Sequence, residues 1–96
     1  MTPRDELQAS WARTCTHLNA AFQVLPESPK DGLCGGSVAA YHDWLSHNEL
    51  ELALDELEML ADANVVPRKY WENLLAAAQE MKLDTHIQRY KERLPE

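Results

Sequence analysis

The stretch that decides the fold is residues 48–64, NELELALDELEMLADAN. Its apolar residues recur at steps of three and four, the spacing that places side chains on one face of an α-helix. The main apolar stripe comprises Leu50, Ala53, Leu54, Leu57, Leu60 and Ala61. Leu52 and Met59 lie on another side, so more than half of the circumference is apolar. Such a helix usually packs against neighbours on two sides, so residues 48–64 predict the centre of a helical core.

Signals for further helix ends lie on both sides of this stretch. The predicted helix starts are Thr2, Ser37, Asn48, Pro67 and either Asp84 or Thr85. Asn48 and Glu51 have the spacing of a capping box, and Asn64 suits the C-terminal cap of the same helix. The first helix is predicted to run to about Val24, because Pro26 then interrupts its apolar stripe.

Proline and glycine are crowded into residues 25–37, which predicts one long loop. Its Gly32–Gly36 segment lacks the Lys-Ser/Thr of a P-loop, so we expect no nucleotide site there. The links between the last four helices are short, which favours antiparallel neighbours. The predicted fold is therefore all-α, a single domain over residues 1–96 that forms one small bundle of about five helices in antiparallel hairpins. A tetratricopeptide-like array is a minor alternative, because no repeat of about 34 residues is found.

The charge of the chain restricts the partners it can bind. Sixteen acidic and nine basic side chains give a formal net charge of −7, which repels nucleic-acid phosphates and attracts basic proteins. The chain has no apolar run near the roughly 20 residues that a bilayer span needs. Its first residues are charged and do not resemble a signal peptide. We therefore expect a cytoplasmic protein that binds neither nucleic acid nor a membrane.

No metal, cofactor, disulfide or catalytic site is predicted. The candidate metal ligands are Cys15, His17, Cys34, His42 and His47. On a helix, Cys15 and His17 point about 200° apart and His42 and His47 about 140° apart, so neither pair presents one coordinating face. A reducing cytoplasm favours free thiols. Cys34 and His42 come closest to a catalytic Cys–His pair, but no third member accompanies them, so we do not expect an enzyme.

An acidic stripe on the third predicted helix is the surface feature that stands out. Glu51, Asp55, Glu58 and Asp62 step by four, three and four residues, so they fall within about 60° of one another. The candidate partner-binding residues are these four together with the apolar Leu52 and Met59 beside them. The alternative interpretation is the solvated face of an amphipathic helix. Because like charges repel along the stripe, neutralising it should leave the fold intact or slightly more stable.

The three tryptophans, Trp11, Trp44 and Trp71, each fall on an apolar helix face, which predicts that they pack in the core. A tryptophan that is partly exposed instead becomes a candidate anchor for a partner protein.

Two segments carry a resemblance to a known family. Leu45, His47, Glu49, Leu52, Ala53 and Leu57 fit the pattern "yL-x-H-x-E-x-x-L-A-x-x-x-L", and Ala78, Met81 and Leu83 fit a later helix closing in "A-x-x-M-x-L". From Val38 to Leu83, about half of the chain, the sequence resembles the small helical immunity proteins of bacterial polymorphic and contact-dependent toxins, particularly the MafI-like group. The resemblance implies a cytoplasmic protein that neutralises a cognate toxin domain by binding it. The negative charge of the chain suggests that this domain is basic, as a nuclease is. The alternative hypothesis is a helical adaptor or regulatory subunit with no toxin partner.

Overall fold

Five α-helices make up the regular secondary structure of the computed structural model, which describes residues 3–26, 29–32 and 36–94, without the side chains of residues 3–5 and 7. The helices are α1 (Pro3–Gln23), α2 (Val38–Ser46), α3 (Leu50–Ala63), α4 (Arg68–Met81) and α5 (Asp84–Glu92). No strand occurs in these described ranges. The predicted all-α bundle of about five helices is confirmed. The predicted start at Thr2 and the thiol of Cys34 lie outside the described residues.

The predicted caps at Ser37 and Asn64 occur and the one at Asn48 does not, while α4 follows Pro67 and α5 begins at Asp84 as predicted. The Ser37 hydroxyl accepts the Ala40 N–H at 2.9 Å, which makes Ser37 the N-cap of α2 as predicted. Asn64 ends α3, and its amide donates to the Leu60 carbonyl oxygen at 2.8 Å. The capping box at Asn48 is wrong, because Asn48 has a φ of 60° and the N-cap of α3 is Glu49, whose side chain makes no capping bond. Asparagine tolerates this left-handed conformation, so it forms a tight turn instead of a cap.

One apolar core joins all five helices. Its buried side chains are Leu18, Ala21, Leu25, Tyr41, Leu50, Ala53, Leu54, Leu57, Leu60, Tyr70, Trp71, Leu74, Ala77, Ala78 and Tyr90. α3 supplies five of them, as its broad apolar face predicts, and α1 packs mainly on α4 while α2 packs on α3. The Tyr70 hydroxyl donates to the Leu57 carbonyl oxygen, which satisfies a polar group inside the core. No helix in the described part of the chain is long and apolar enough to cross a bilayer.

The long loop between α1 and α2 is attached to α3 at both ends of its described segments. Near one end, the Lys30 backbone exchanges two hydrogen bonds of 2.8 Å with the Asn64 side chain. Near the other, Gly36 has a φ of +89° and lies directly on α3, since a Cβ atom there would come within 2.7 Å of the Met59 Cβ atom. Glycine supplies both the positive φ and the close approach. Gly36 therefore lies directly over Met59, which is half-buried.

Candidate functional site

Three of the four acidic residues of the predicted stripe contact basic side chains of α5. The His86 Nε2 atom lies 2.7 Å from the Asp55 Oδ1 atom, Arg89 binds Glu58, and the Arg93 Nη2 atom lies 3.6 Å from the Asp62 Oδ1 atom. Each contact joins residues 31 positions apart in the chain, for example Asp55 with His86 and Glu58 with Arg89. A constant offset means that α3 and α5 run parallel, as expected when α4 is antiparallel to both. We call this series the ion-pair row.

Glu58 accepts more hydrogen bonds than the other acidic members of the ion-pair row. Arg89 donates from Nε to one carboxylate oxygen at 2.9 Å and from Nη2 to the other at 2.8 Å, and the Tyr90 hydroxyl adds a bond of 3.1 Å. Burial alone would raise the pKa of Glu58, but the hydrogen bonds and positive charge of Arg89, with the Tyr90 hydroxyl, outweigh it and hold that pKa below its ordinary value of 4.5. Glu58 therefore remains a carboxylate that anchors α5 to α3.

The ion-pair row ends before Glu51, the first residue of the predicted stripe. Glu51 is exposed and makes no ion pair with any residue in the described ranges. Beside it Leu52 keeps 39% of its surface exposed. Of the six predicted partner-binding residues, Glu51, Leu52 and Asp62 are therefore exposed. Asp55, Glu58 and Met59 are half-buried, and Asp62 is exposed beside Arg93.

The negative charge of the chain is concentrated on α2 and α3. Residues 31–67 contain eight acidic side chains and neither lysine nor arginine, whereas the rest of the chain contains eight acidic and nine basic side chains. The hairpin of α2 and α3 thus accounts for the whole negative charge of the protein. α5 offsets part of it through the ion-pair row, so the exposed carboxylates of this hairpin without an arginine or lysine partner lie near the α2–α3 turn, at Asp43, Glu49 and Glu51.

Glu56 has a structural role that the sequence pattern did not indicate. Its Oε2 atom accepts the Ser37 N–H at 3.0 Å, and its Oε1 atom lies 3.4 Å from the Trp44 Nε1 atom, which donates to it. Glu56 thereby links the start of α2 and the half-buried Trp44 to α3. Trp71 is buried as predicted, but Trp11 is 38% exposed, so the prediction that it packs in the core is wrong.

The exposure of Trp11 follows from helix length. α1 has 21 residues and its main partner α4 has 14, so α1 extends beyond α4 by about 10 Å. Trp11 lies near the end of α4, because Arg13, two residues further on, contacts Glu80, the second-last residue of α4, at 2.7 Å. Because Trp11 is partly exposed, it becomes a candidate contact for a partner protein.

One cluster in the described residues has the composition of a metal site. The ligand atoms of Asp55, Glu58 and His86 all lie within 4.8 Å of one another. Both oxygens of Glu58 already accept bonds from Arg89, and His86 bonds Asp55. A divalent cation would have to displace these bonds and approach the Arg89 guanidinium, which Coulomb repulsion opposes. The cluster is therefore best described as part of the ion-pair row. None of the metal ligands considered from the sequence belongs to it.

The surroundings of the Cys15 thiol disfavour the thiolate, which is the form that acts as a nucleophile. Cys15 is partly buried, and this burial raises its pKa, which keeps the thiol protonated at neutral pH. Low pKa values, near a positive charge or a helix N-terminus, mark reactive thiols. Cys15 instead packs against the core near Tyr41.

The ion-pair row predicts a difference between two conservative substitutions. Glu58→Gln should lower the free energy of unfolding by about 1–2 kcal/mol, because it leaves Arg89 without its bidentate partner. Asp62→Asn is the matched control, and it should cost less than about 0.5 kcal/mol because both members of that pair are largely exposed. Urea unfolding of the two variants measures this difference. Equal losses would contradict the assigned role of Glu58.

The same pair sets a pH dependence. Because the folded-state pKa of Glu58 is below its unfolded value, its contribution is fully present above pH 4.5 and is lost as pH falls through the folded-state pKa. The wild-type protein should therefore lose more stability than Glu58→Gln between about pH 5 and pH 3. Parallel pH profiles of the two proteins would contradict this.

Comparisons with known proteins identify no relative of this chain. The chain matches no family model, no curated protein and no solved structure. The resemblance to immunity proteins stays a prediction that rests on the residues quoted for it.

Proposed function

We propose that this protein is a cytoplasmic immunity protein, which binds a basic toxin domain and neutralises it by covering its active site. The observation that carries the proposal is the segregation of charge, since eight acidic side chains and no lysine or arginine occupy residues 31–67. A surface of one sign accelerates encounter with a partner of the opposite sign and excludes partners of like sign. A nuclease cleft is positive because it binds phosphates, so an acidic helical hairpin complements it.

The accessible apolar side chains support protein binding over simple solvation of a charged face. Leu52 and Trp11 are each exposed by more than a third. Protein interfaces combine such apolar contacts with a polar rim, and tryptophan is among the residues that contribute most to binding energy. The resemblance in residues 45–57 and 78–83 supports a toxin as the partner class.

The test is co-expression in bacteria with the toxin domain encoded next to this gene. Growth should be restored by this protein and not by an empty vector, and the two purified proteins should co-elute from a size-exclusion column. A folded protein that restores no growth and forms no complex, or a gene with no toxin beside it, would contradict the proposal. That result would favour the adaptor or regulatory-subunit hypothesis.

A further inference from the structure

The ion-pair row shows how the acidic face of α3 accepts a basic helix. α5 and its C-cap, Arg93, present His86, Arg89 and Arg93 at steps of three and four, which match the steps of Asp55, Glu58 and Asp62. Arg89 donates to Glu58 from two nitrogens, Nε and Nη2. The Arg93 Cζ atom also lies over the ring of Trp71, 4.9 Å from the ring centroid. A helix that runs parallel to α3 can therefore cover this acidic face, since its basic side chains pair with the carboxylates while its apolar side chains pack beside them.

Glu51, the first acidic residue on this face of α3, has no basic partner among the described residues. The residue 31 positions after Glu51 is Lys82, which would extend the ion-pair row by one more contact. Lys82 instead adopts a left-handed conformation with a φ of 59° at the C-cap of α4, and its N–H bonds the Gln79 carbonyl oxygen at 3.1 Å. The chain turns here before α5 begins at Asp84. Glu51 consequently has no partner from α5.

The open position lies within a rigid and strongly acidic part of the surface. The turn between α2 and α3 is fixed by backbone bonds from Asn48 to the Leu45 carbonyl oxygen and from Glu49 to the Trp44 carbonyl oxygen, at 3.1 and 2.9 Å. The exposed residues Asp43, Glu49, Glu51 and Leu52 surround this turn, and we call them the α2–α3 corner. An interface at the corner would lose little conformational freedom in its backbone.

We propose that the α2–α3 corner is where the partner docks, through a basic amphipathic helix that places Arg or Lys against Glu51 and Glu49 and an apolar side chain on Leu52. This proposal rests on the proposed function and identifies its contact surface. Charge complementarity selects the occupant, because residues 31–67 hold no lysine or arginine and α5 already demonstrates the pairing within the chain. The exposed Leu52 supplies an apolar contact beside the carboxylates of the corner.

The first experiment uses a synthetic amphipathic helical peptide that carries arginine and leucine on one face, titrated into the isotope-labelled protein. In NMR spectra, the chemical-shift changes of the backbone amides should be largest at residues 43–52. Replacing Glu49 and Glu51 together by glutamine should raise the Kd about tenfold. The matched control replaces Glu6 and Glu92, which are also exposed acids but lie outside the corner, and should change the Kd less than about twofold. Equal effects of the two double variants would overturn the proposal, since only net charge would then matter.

The second experiment separates this surface from the proposed function. Both double variants, checked for unchanged melting, are tested for growth rescue against the toxin domain encoded beside the gene. Loss of rescue by the Glu49/Glu51 variant alone supports the corner as the contact. Rescue by that variant at the wild-type level, with wild-type affinity for the toxin, overturns the corner while the immunity function stands. Peptide binding at the corner with no rescue by the wild-type protein contradicts the immunity function and leaves the corner as a binding surface.

Discussion

Gly36→Ala should lower the free energy of unfolding by about 2–4 kcal/mol. The φ of +89° costs an L-residue about 1–2 kcal/mol, and the new Cβ atom would lie 2.7 Å from the Met59 Cβ atom. The next nearest atoms are backbone atoms of Met59 and Leu60, at 2.9 and 3.0 Å, so a side-chain rearrangement cannot relieve the contact. Either α3 shifts or the loop detaches from it.

Urea unfolding monitored by circular dichroism measures the loss of stability in Gly36→Ala. Ala39→Gly is the control, because Ala39 is an exposed residue of α2 and the change should cost only the usual helix propensity difference of about 1 kcal/mol. A Gly36→Ala loss no larger than that of the control would show that the loop does not press on Met59.

Leu57→Ala should cost about 3–4 kcal/mol of stability, the second large effect. Leu57 is fully buried in the middle of α3, and removing its side chain leaves a cavity that the surrounding helices cannot fill completely. Its carbonyl oxygen also accepts the hydroxyl of Tyr70, so any backbone adjustment disturbs a buried hydrogen bond. Thermal or denaturant unfolding gives the value.

Leu52→Ala is the matched control for Leu57→Ala, since the two leucines lie on the same helix. Leu52 keeps 39% of its surface in solvent, so its loss should cost less than about 1 kcal/mol of stability. It should nonetheless weaken partner binding, which Leu57→Ala affects only by unfolding the protein. If Leu52→Ala destabilised the fold as much as Leu57→Ala, the exposed surface assigned to Leu52 would be wrong.

The helices were predictable because periodicity reports the face of each one directly. The apolar stripe of α3 became the core as predicted, and Ser37 and Asn64 cap where expected. Asn48 illustrates the limit of such signals. Its spacing to Glu51 fits a capping box, but a residue that tolerates a positive φ also suits a tight turn, and the short connection between α2 and α3 requires the turn.

The ion-pair row was missed because periodicity places a residue around its own helix and does not say which helix packs against it. One signal was present: His86, Arg89 and Arg93 share the steps of three and four found in Asp55, Glu58 and Asp62. Matching spacings of opposite charge on two helices of the same direction indicate a pairing. The pairing also reverses the expectation that neutralising the acidic stripe leaves the fold intact, since Glu58 contributes to stability through Arg89.

The most direct test of the central claim, that the acidic α2–α3 hairpin binds a basic partner, is the association rate constant of this protein with the neighbouring toxin domain as a function of salt. Raising ionic strength from about 0.05 to about 0.3 M should slow association about tenfold or more, because screening weakens attraction between oppositely charged surfaces. The Glu49/Glu51 double variant should show a shallower dependence. An association rate that does not change with salt would contradict the account.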